Sequence, residues 1–154
     1  MEDRSEPSRP WTPPPYVWFH TRVGSPGLGY TFGRTVTVFK LVDRASWNAA
    51  APSASFAGSA VDARDGFIHF STAAQVRETA ARHFAHQPDL LLVAVDAAAL
   101  GEALRWEPSR GGALFPHLYG PLPLHTVRWV SHLALDDAGG HVFPNLNRAS
   151  QAGS

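Results

Sequence analysis

Asp89-Leu-Leu-Leu-Val-Ala-Val95 is the stretch of this 154-residue chain that decides its fold. A proline precedes it at position 88, and Asp96 follows it. A continuous apolar run of this length is typical of a strand that is buried on both faces. We therefore predict a central strand here, followed by a single helical turn over 97–100 that Asp96 caps.

Strand patterns also occur on both sides of this run. Thr35-Val-Thr-Val-Phe-Lys-Leu-Val42 alternates, which places Val38, Lys40 and Val42 on one face and Phe39 and Leu41 on the other. Three further segments, over 66–70, 103–106 and 126–135, have similar patterns. We expect these segments to complete a sheet of about five strands.

Helices are predicted over 47–51 and after Thr72. Thr72-x-x-Gln75 matches a capping box, and Val76, Ala80 and Phe84 form one apolar stripe at helical spacing. Together with the turn over 97–100 this makes two or three helices. The expected class is mixed α+β, in one small domain.

Composition predicts how the chain is divided. A chain of 154 residues is long enough for one core but too short for two domains. Residues 1–34 combine proline and glycine with charges of both signs, and we expect a mostly disordered extension there. We assign 35–136 to the α+β domain and 137–154 to a polar tail.

Charge and cysteine content exclude several classes of function. Thirteen acidic residues balance thirteen basic ones, so no net field would attract nucleic acid or an anionic membrane. The absence of cysteine excludes thiolate metal sites and cysteine nucleophiles. No apolar run approaches the roughly 20 residues that span a bilayer, and no apolar N-terminal segment indicates secretion. We expect a cytoplasmic protein without nucleic-acid or membrane partners.

Most of the candidate chemistry lies in a long connection from Arg105 to Leu124. A connection of this length is usually either functional or disordered, and its aromatic and aliphatic residues argue against disorder. Glu107, at the end of a strand, is a candidate catalytic acid, base or cation stabiliser. The alternative is an ion pair between Glu107 and Arg105 or Arg110 that holds the loop in place.

Three more residues of this connection are candidates for ligand contact. His117 and Tyr119 face the same side if the chain is extended, and together they would form a platform for a flat ligand. The alternative is that both residues only anchor the loop. Arg110, beside Gly111 and Gly112, is placed to bind a phosphate in bidentate fashion.

Asp65-Gly-Phe-Ile-His-Phe-Ser-Thr72 supplies a second group of candidates. His69 is either a core histidine bonded to a carbonyl or a cleft histidine that orients a ligand. Ser71 and Thr72 precede a helix, where exposed N–H groups suit a phosphate or carboxylate. Lys40 is the only lysine in the chain, and it is either a solvent-facing strand residue or part of a site.

A metal site would use His69, Glu107 and His117 as a triad of two histidines and one carboxylate. No pair among them has a helical spacing that would preorganise the ligands. We therefore expect no metal, and a metal-dependent hydrolase remains the weaker alternative.

Several of these segments together resemble a known bacterial family. They are Val38-Phe-Lys-Leu-Val42, Trp47, Asp65-Gly-Phe-Ile-His-Phe-Ser-Thr72, Trp106-Glu107 and Phe115-Pro-His-Leu-Tyr-Gly-Pro121, which occur in this order. In this respect the chain resembles the domain of unknown function 952 family. The resemblance implies a fold similar to the ADP-ribosyltransferase superfamily, with a small split, mixed β-sheet around an NAD-binding cleft.

The resemblance also implies roles for particular residues. Lys40 takes the first-strand position where that superfamily normally uses histidine or arginine to contact a ribose. Phe70-Ser71-Thr72 would flank the nicotinamide. Glu107, which lacks the Glu/Gln-x-Glu pattern of the superfamily, would stabilise the ribosyl cation.

The leading hypothesis is therefore an enzyme that acts on NAD or a related phosphorylated nucleotide. Lys40, His69 and Arg110 would hold phosphates or ribose, and Tyr119 would stack on the flat ring. Glu107 would stabilise the cation as the N-glycosidic bond breaks, with His117 as acid/base or as the residue that orients Glu107. The alternative is a non-catalytic module that binds a small anion or a partner protein.

Overall fold

The computed structural model describes residues 36–147, apart from the side chain of Arg110. The predicted extension over 1–34 and residues 148–154 of the predicted tail lie outside the described residues. The strands are β1 (Thr37–Asp43), β2 (Ser55–Phe56), β3 (Ile68–His69), β4 (Leu90–Asp96), β5 (Leu104–Pro108), β6 (Leu114–Leu118), β7 (Leu122–Pro123) and β8 (Val127–Leu133). The α-helices are α1 (Arg44–Ala49), α2 (Ala60–Asp65), α3 (Val76–His83) and α4 (Ala97–Leu100). Short 3-10 turns cover Ala51–Ser53, Gly101–Ala103, Arg110–Gly112 and Leu124–Thr126.

Strand β4 is the middle of a three-stranded antiparallel sheet with the order β1-β4-β8. Every residue from 90 to 95 is buried, which confirms the predicted central strand. The β1 alternation is also confirmed, because Val38 and Val42 belong to one core cluster and Phe39 and Leu41 to another. The two clusters cover opposite faces of this sheet, since successive side chains of a strand point to opposite sides.

A second antiparallel sheet has the order β3-β6-β5, and β2 pairs with β7 in a separate two-stranded ladder. Ser71, just after β3, connects the two larger sheets. Its backbone N–H and C=O both bond to the backbone of Phe39 in β1, at 2.8 Å each. The described domain is therefore a mixed α+β fold whose antiparallel strands lie in split sheets.

Helix α3 covers one face of the central sheet. Its residues Val76 and Ala80 are buried in the same cluster as Phe39, and Phe84 packs against that cluster. The backbone N–H of Thr72 donates to Gln75 Oε1 at 3.0 Å, which is one half of the predicted capping box, but α3 begins after Gln75 and no side chain caps it. The single turn is confirmed as α4, where the side chain of Asp96 accepts from the backbone N–H of Ala98.

Parts of the predicted architecture were wrong. Every strand pair in residues 36–147 is antiparallel, so the sheets are not mixed in direction. The connection from Arg105 to Leu124 contains β6 and β7 and is largely a hairpin with β5. Strand β6 was not predicted because it contains Pro116. Proline lacks the N–H that a sheet ladder needs and is expected only on edge strands or at bulges. Helix α2 lies in a segment where we predicted no helix.

Residues after β8 also contact the domain. Leu146 is buried in the cluster that contains Phe39, and His141 Nε2 lies 2.8 Å from the carbonyl oxygen of Gln87. In the described part of the chain no helix is long and apolar enough to cross a membrane.

Candidate functional site

Residues of both larger sheets line a cavity of about 490 Å³. The volume is in the range of small-molecule sites. Four of the predicted site residues lie in its wall, namely Lys40 on β1, His69 on β3, Ser71 after β3 and His117 on β6. Other polar residues of the wall are Ser59, Arg64, Asp65, Thr79, His83 and Ser109.

Lys40 forms a buried ion pair with Asp62 of α2. Its Nζ lies 3.0 Å from Oδ1 and 2.8 Å from Oδ2 of Asp62, and the two residues are only 4% and 2% exposed. Burial lowers the pKa of Lys40, and the attraction of the Asp62 carboxylate offsets part of this effect. The interpretation of Lys40 as a solvent-facing strand residue was therefore wrong.

Asp62 also accepts hydrogen bonds from the two segments on either side of it. Its Oδ2 accepts from the backbone N–H and the hydroxyl of Ser59 at 2.8 and 3.1 Å, and its Oδ1 accepts from the backbone N–H of His69 at 3.1 Å. Burial alone would raise the pKa of Asp62. The bonds from His69, Lys40 and Ser59 more than offset that effect and hold the pKa well below its ordinary range.

The ring of His69 lies between two carboxylates. Its Nδ1 is 2.6 Å from Asp62 Oδ1, and its Nε2 is 2.9 Å from Asp65 Oδ2. The Asp62 side chain is 1% exposed and the Asp65 side chain is 32% exposed. A hydrogen bond from Arg64 lowers the pKa of Asp65. His69 therefore has one buried acidic partner and one that solvent can reach.

His117 forms a second imidazole–carboxylate pair on the β5–β6 hairpin. Its Nδ1 lies 2.8 Å from Glu107 Oε1, and the hydroxyl of Tyr119 donates to the same oxygen at 2.8 Å. Burial alone would raise the pKa of Glu107, but these hydrogen bonds lower it below its ordinary value. Because a carboxylate only accepts, the proton of this bond is on Nδ1. In the part of the chain that the structure describes, no residue bonds to Nε2 of His117.

Phe67 packs between the two pairs. Its ring stacks on His117 with centroids 4.1 Å apart and lies 4.6 Å from the ring of His69. The rings of His69 and His117 are 5.7 Å apart, edge to face. The two oriented imidazoles are thus neighbours in one wall of the cavity, and this arrangement is suited to proton transfer to or from a bound ligand.

Three predicted site residues lie outside the cavity wall. Glu107 and Tyr119 are not among the residues that line the cavity, and they contact it through His117. Thr72 is the partner of Gln75 at the start of α3 and does not line the cavity either. Arg110 lies in a 3-10 turn, and its side chain is outside the described residues.

Sequence reasoning missed Asp62, Asp65 and Phe67. Asp62 had a usable signal, because Ser59-x-x-Asp62 is a capping-box pattern and the structure forms both of its hydrogen bonds. Asp65 was not among the predicted site residues. Phe67 had no signal, since an aromatic residue in the predicted strand over 66–70 is ordinary core composition.

The structure gives no support for the alternative of a metal triad. Within residues 36–147, no three histidine, cysteine, aspartate or glutamate residues are arranged to hold a metal ion. Glu107 is instead bonded to His117.

Fold and site together define a small α+β domain with two imidazole–carboxylate pairs at one cavity. Residues 41–130 match the family described as Protein of unknown function (DUF952), and the chain belongs to that family. No curated protein matches the chain.

Two experimental structures of the protein CC0527 from Caulobacter crescentus are similar to this chain. The X-ray crystal structure is 50% identical, covers 69% of this chain and 93% of its own, and has a TM-score of 0.67. The solution NMR structure is 47% identical, covers 76% of this chain and 93% of its own, and has a TM-score of 0.61.

Proposed function

We propose that this protein is an enzyme that binds NAD or a related phosphorylated nucleotide in the cavity and uses His117 as its acid/base group. The observation that carries the proposal is the His117–Glu107 pair. Glu107 holds the proton on Nδ1, so Nε2 of His117 is left to accept or donate a proton at the cavity wall. A base that is oriented by a third group is the usual arrangement of a catalytic histidine.

The ligand class rests on the cavity and on the ADP-ribosyltransferase-like fold that we propose for this domain from its family resemblance. Residues from two sheets surround the cavity, as expected of a cleft in a split-sheet fold. The cavity wall contains three side chains that can hold anionic groups, Arg64, His69 and His83. It also contains the hydroxyls of Ser59 and Thr79.

The position of Glu107 changes its proposed role. Because Glu107 lies behind His117, we assign it to positioning the imidazole and not to direct contact with a ribosyl cation. In the proposed reaction the bond between ribose C1′ and the nicotinamide nitrogen breaks, and nicotinamide leaves with the electron pair. Water forms the new C1′–O bond and gives its proton to His117 Nε2.

Calorimetric titration with NAD and ADP-ribose, combined with chromatographic detection of released nicotinamide, tests this function. The wild-type protein should bind both ligands and release nicotinamide. The H117N variant should release none, whereas H125N, a matched change at an exposed histidine outside the cavity, should behave as wild type. Absence of heat and of nicotinamide release in the wild-type protein would contradict the proposal.

A non-catalytic module for a small anion is the second candidate. It is favoured by the absence of Glu107 from the cavity wall, since a binder needs no catalytic carboxylate directed at its ligand. This candidate predicts binding of a phosphorylated ligand without turnover of any nucleotide. The same titration therefore separates the two functions.

A further inference from the structure

We propose that Asp62 is a positioning residue of the site, one that fixes His69 in the form with a proton on Nδ1 and so turns Nε2 toward the ligand. The inference rests on the proposed function, because it makes His69 the second oriented imidazole beside His117. Asp62 is 2% exposed and lies below the cavity wall, and its carboxylate is not among the cavity-lining groups.

The contacts of Asp62 leave its carboxylate little freedom to move. Oδ2 is held by both donors of Ser59 at the start of α2, and Lys40 lies within 3.0 Å of both oxygens. Oδ1 then faces two atoms of one residue, the backbone N–H and Nδ1 of His69. Because Ser59 at the helix start and Lys40 on its strand both hold the Asp62 carboxylate, it is a rigid acceptor. A rigid acceptor fixes the orientation of the imidazole ring that is bonded to it.

The two sides of the His69 ring differ in a way that assigns their roles. The bond from Nδ1 to Asp62 is short, at 2.6 Å, and its acceptor is closed to solvent, because the Asp62 side chain is 1% exposed. The bond from Nε2 goes to Asp65, whose side chain is a third exposed and lines the cavity. A ligand can replace Asp65 at Nε2 without breaking any contact of Asp62, so Nε2 is the atom of His69 that meets the ligand.

A purely structural role would be different. If Asp62 served only to neutralise Lys40, its bonds to Lys40 and Ser59 would suffice, and the His69 ring would need no fixed partner on Nδ1. The observed geometry instead directs one carboxylate oxygen at the His69 side chain and backbone together.

Proton and nitrogen NMR of the His69 ring tests the assignment without depending on activity. In the wild-type protein, Nδ1 should carry a proton whose resonance lies far downfield, and the H69Q variant should lack that signal. An unprotonated Nδ1 in the wild-type protein would overturn the proposal, and this measurement needs no destabilised variant.

The K40M/D62N double variant and the K40M single variant then isolate Asp62. The double variant removes both buried charges together, so that no unpaired ion remains in the core. We expect the His69 Nδ1 resonance to persist in K40M and to move upfield or vanish in K40M/D62N. An identical resonance in the two variants would show that Asp62 does not position the ring.

Titration of the same two variants with ADP-ribose tests whether the orientation of the His69 ring affects ligand affinity. We expect K40M/D62N to bind ADP-ribose at least about tenfold more weakly than K40M, a difference of about 1.4 kcal/mol. Equal affinity would overturn the positioning role. If wild-type protein shows the Nδ1 signal but binds no ADP-ribose, the proposed function fails while the assignment of Asp62 as the fixed partner of His69 stands.

Discussion

Glu107 Oε1 lies 2.8 Å from Nδ1 of His117 and 2.8 Å from the hydroxyl of Tyr119, so one carboxylate oxygen holds two side chains of the neighbouring strand segment. Strand pairing brings these groups together, because β5 and β6 run antiparallel and Arg105 is paired with His117. The contact joins the hairpin to the cavity and makes Glu107 the first residue to test.

Replacing Glu107 by glutamine should reduce turnover more than binding. The amide keeps the shape but not the charge that stabilises a protonated His117, so kcat should fall by a factor between about 10² and 10⁴. ADP-ribose affinity should change little, because Glu107 does not line the cavity. Nicotinamide release and calorimetry measure the two quantities, and E102Q, in the 3-10 turn before β5, serves as the control. A large loss of affinity with unchanged kcat would contradict this role.

Replacing Asp65 by asparagine should strengthen the binding of anions. The Asp65 carboxylate occupies His69 Nε2 and repels an incoming phosphate, so its neutral amide should raise affinity for ADP-ribose several-fold. D89N makes the same change of charge outside the cavity, at a position of φ 56° that asparagine tolerates. Calorimetry on D65N and D89N should show a gain for the first variant only. A similar gain in both would indicate a general effect of net charge.

Acid should destabilise the fold through Asp62 and Glu107. Both pKa values are lower in the folded state than their ordinary values of 3.8 and 4.5, so the unfolded state binds more protons in acid. Their contribution to stability is complete above those values and is lost as the pH falls through the folded pKa values. Urea unfolding should be measured at several pH values below 5. The free energy of unfolding should fall more steeply with falling pH for wild type than for K40M/D62N. Equal slopes would mean that Asp62 is not protonated preferentially on unfolding.

Gly58 should be intolerant of alanine because it lies against Asp62. A Cβ at Gly58 would lie 2.8 Å from the Asp62 Cβ, and φ at this residue is +108°. Gly66 has a φ of +91° with open space around it, so G66A measures backbone strain alone. We expect G66A to cost about 1–2 kcal/mol of unfolding free energy and G58A clearly more. Equal losses in urea unfolding would show that Asp62 moves aside without cost.

Strands were predictable from the sequence where the pattern of apolar residues corresponds to one kind of burial. The apolar run over 89–95 and the alternation in β1 identified two strands of the central sheet, because burial on one or both faces leaves a period in the sequence. Strand β6 left no such period. Pro116 interrupts the ladder, and residues 115–118 are all buried, so the segment lacks both alternation and an uninterrupted set of donors.

The sequence by itself determined the family, the α+β class and four residues of the cavity wall, Lys40, His69, Ser71 and His117. These followed from short motifs and from side-chain periodicity, which act between near neighbours in the chain. Only the tertiary structure decided the partners of those residues. Asp62 is 22 positions from Lys40, and Glu107 is 10 positions from His117. Such pairs form because a helix start and a hairpin place distant residues in contact, and the charge balance of a buried site depends on that contact and not on sequence spacing.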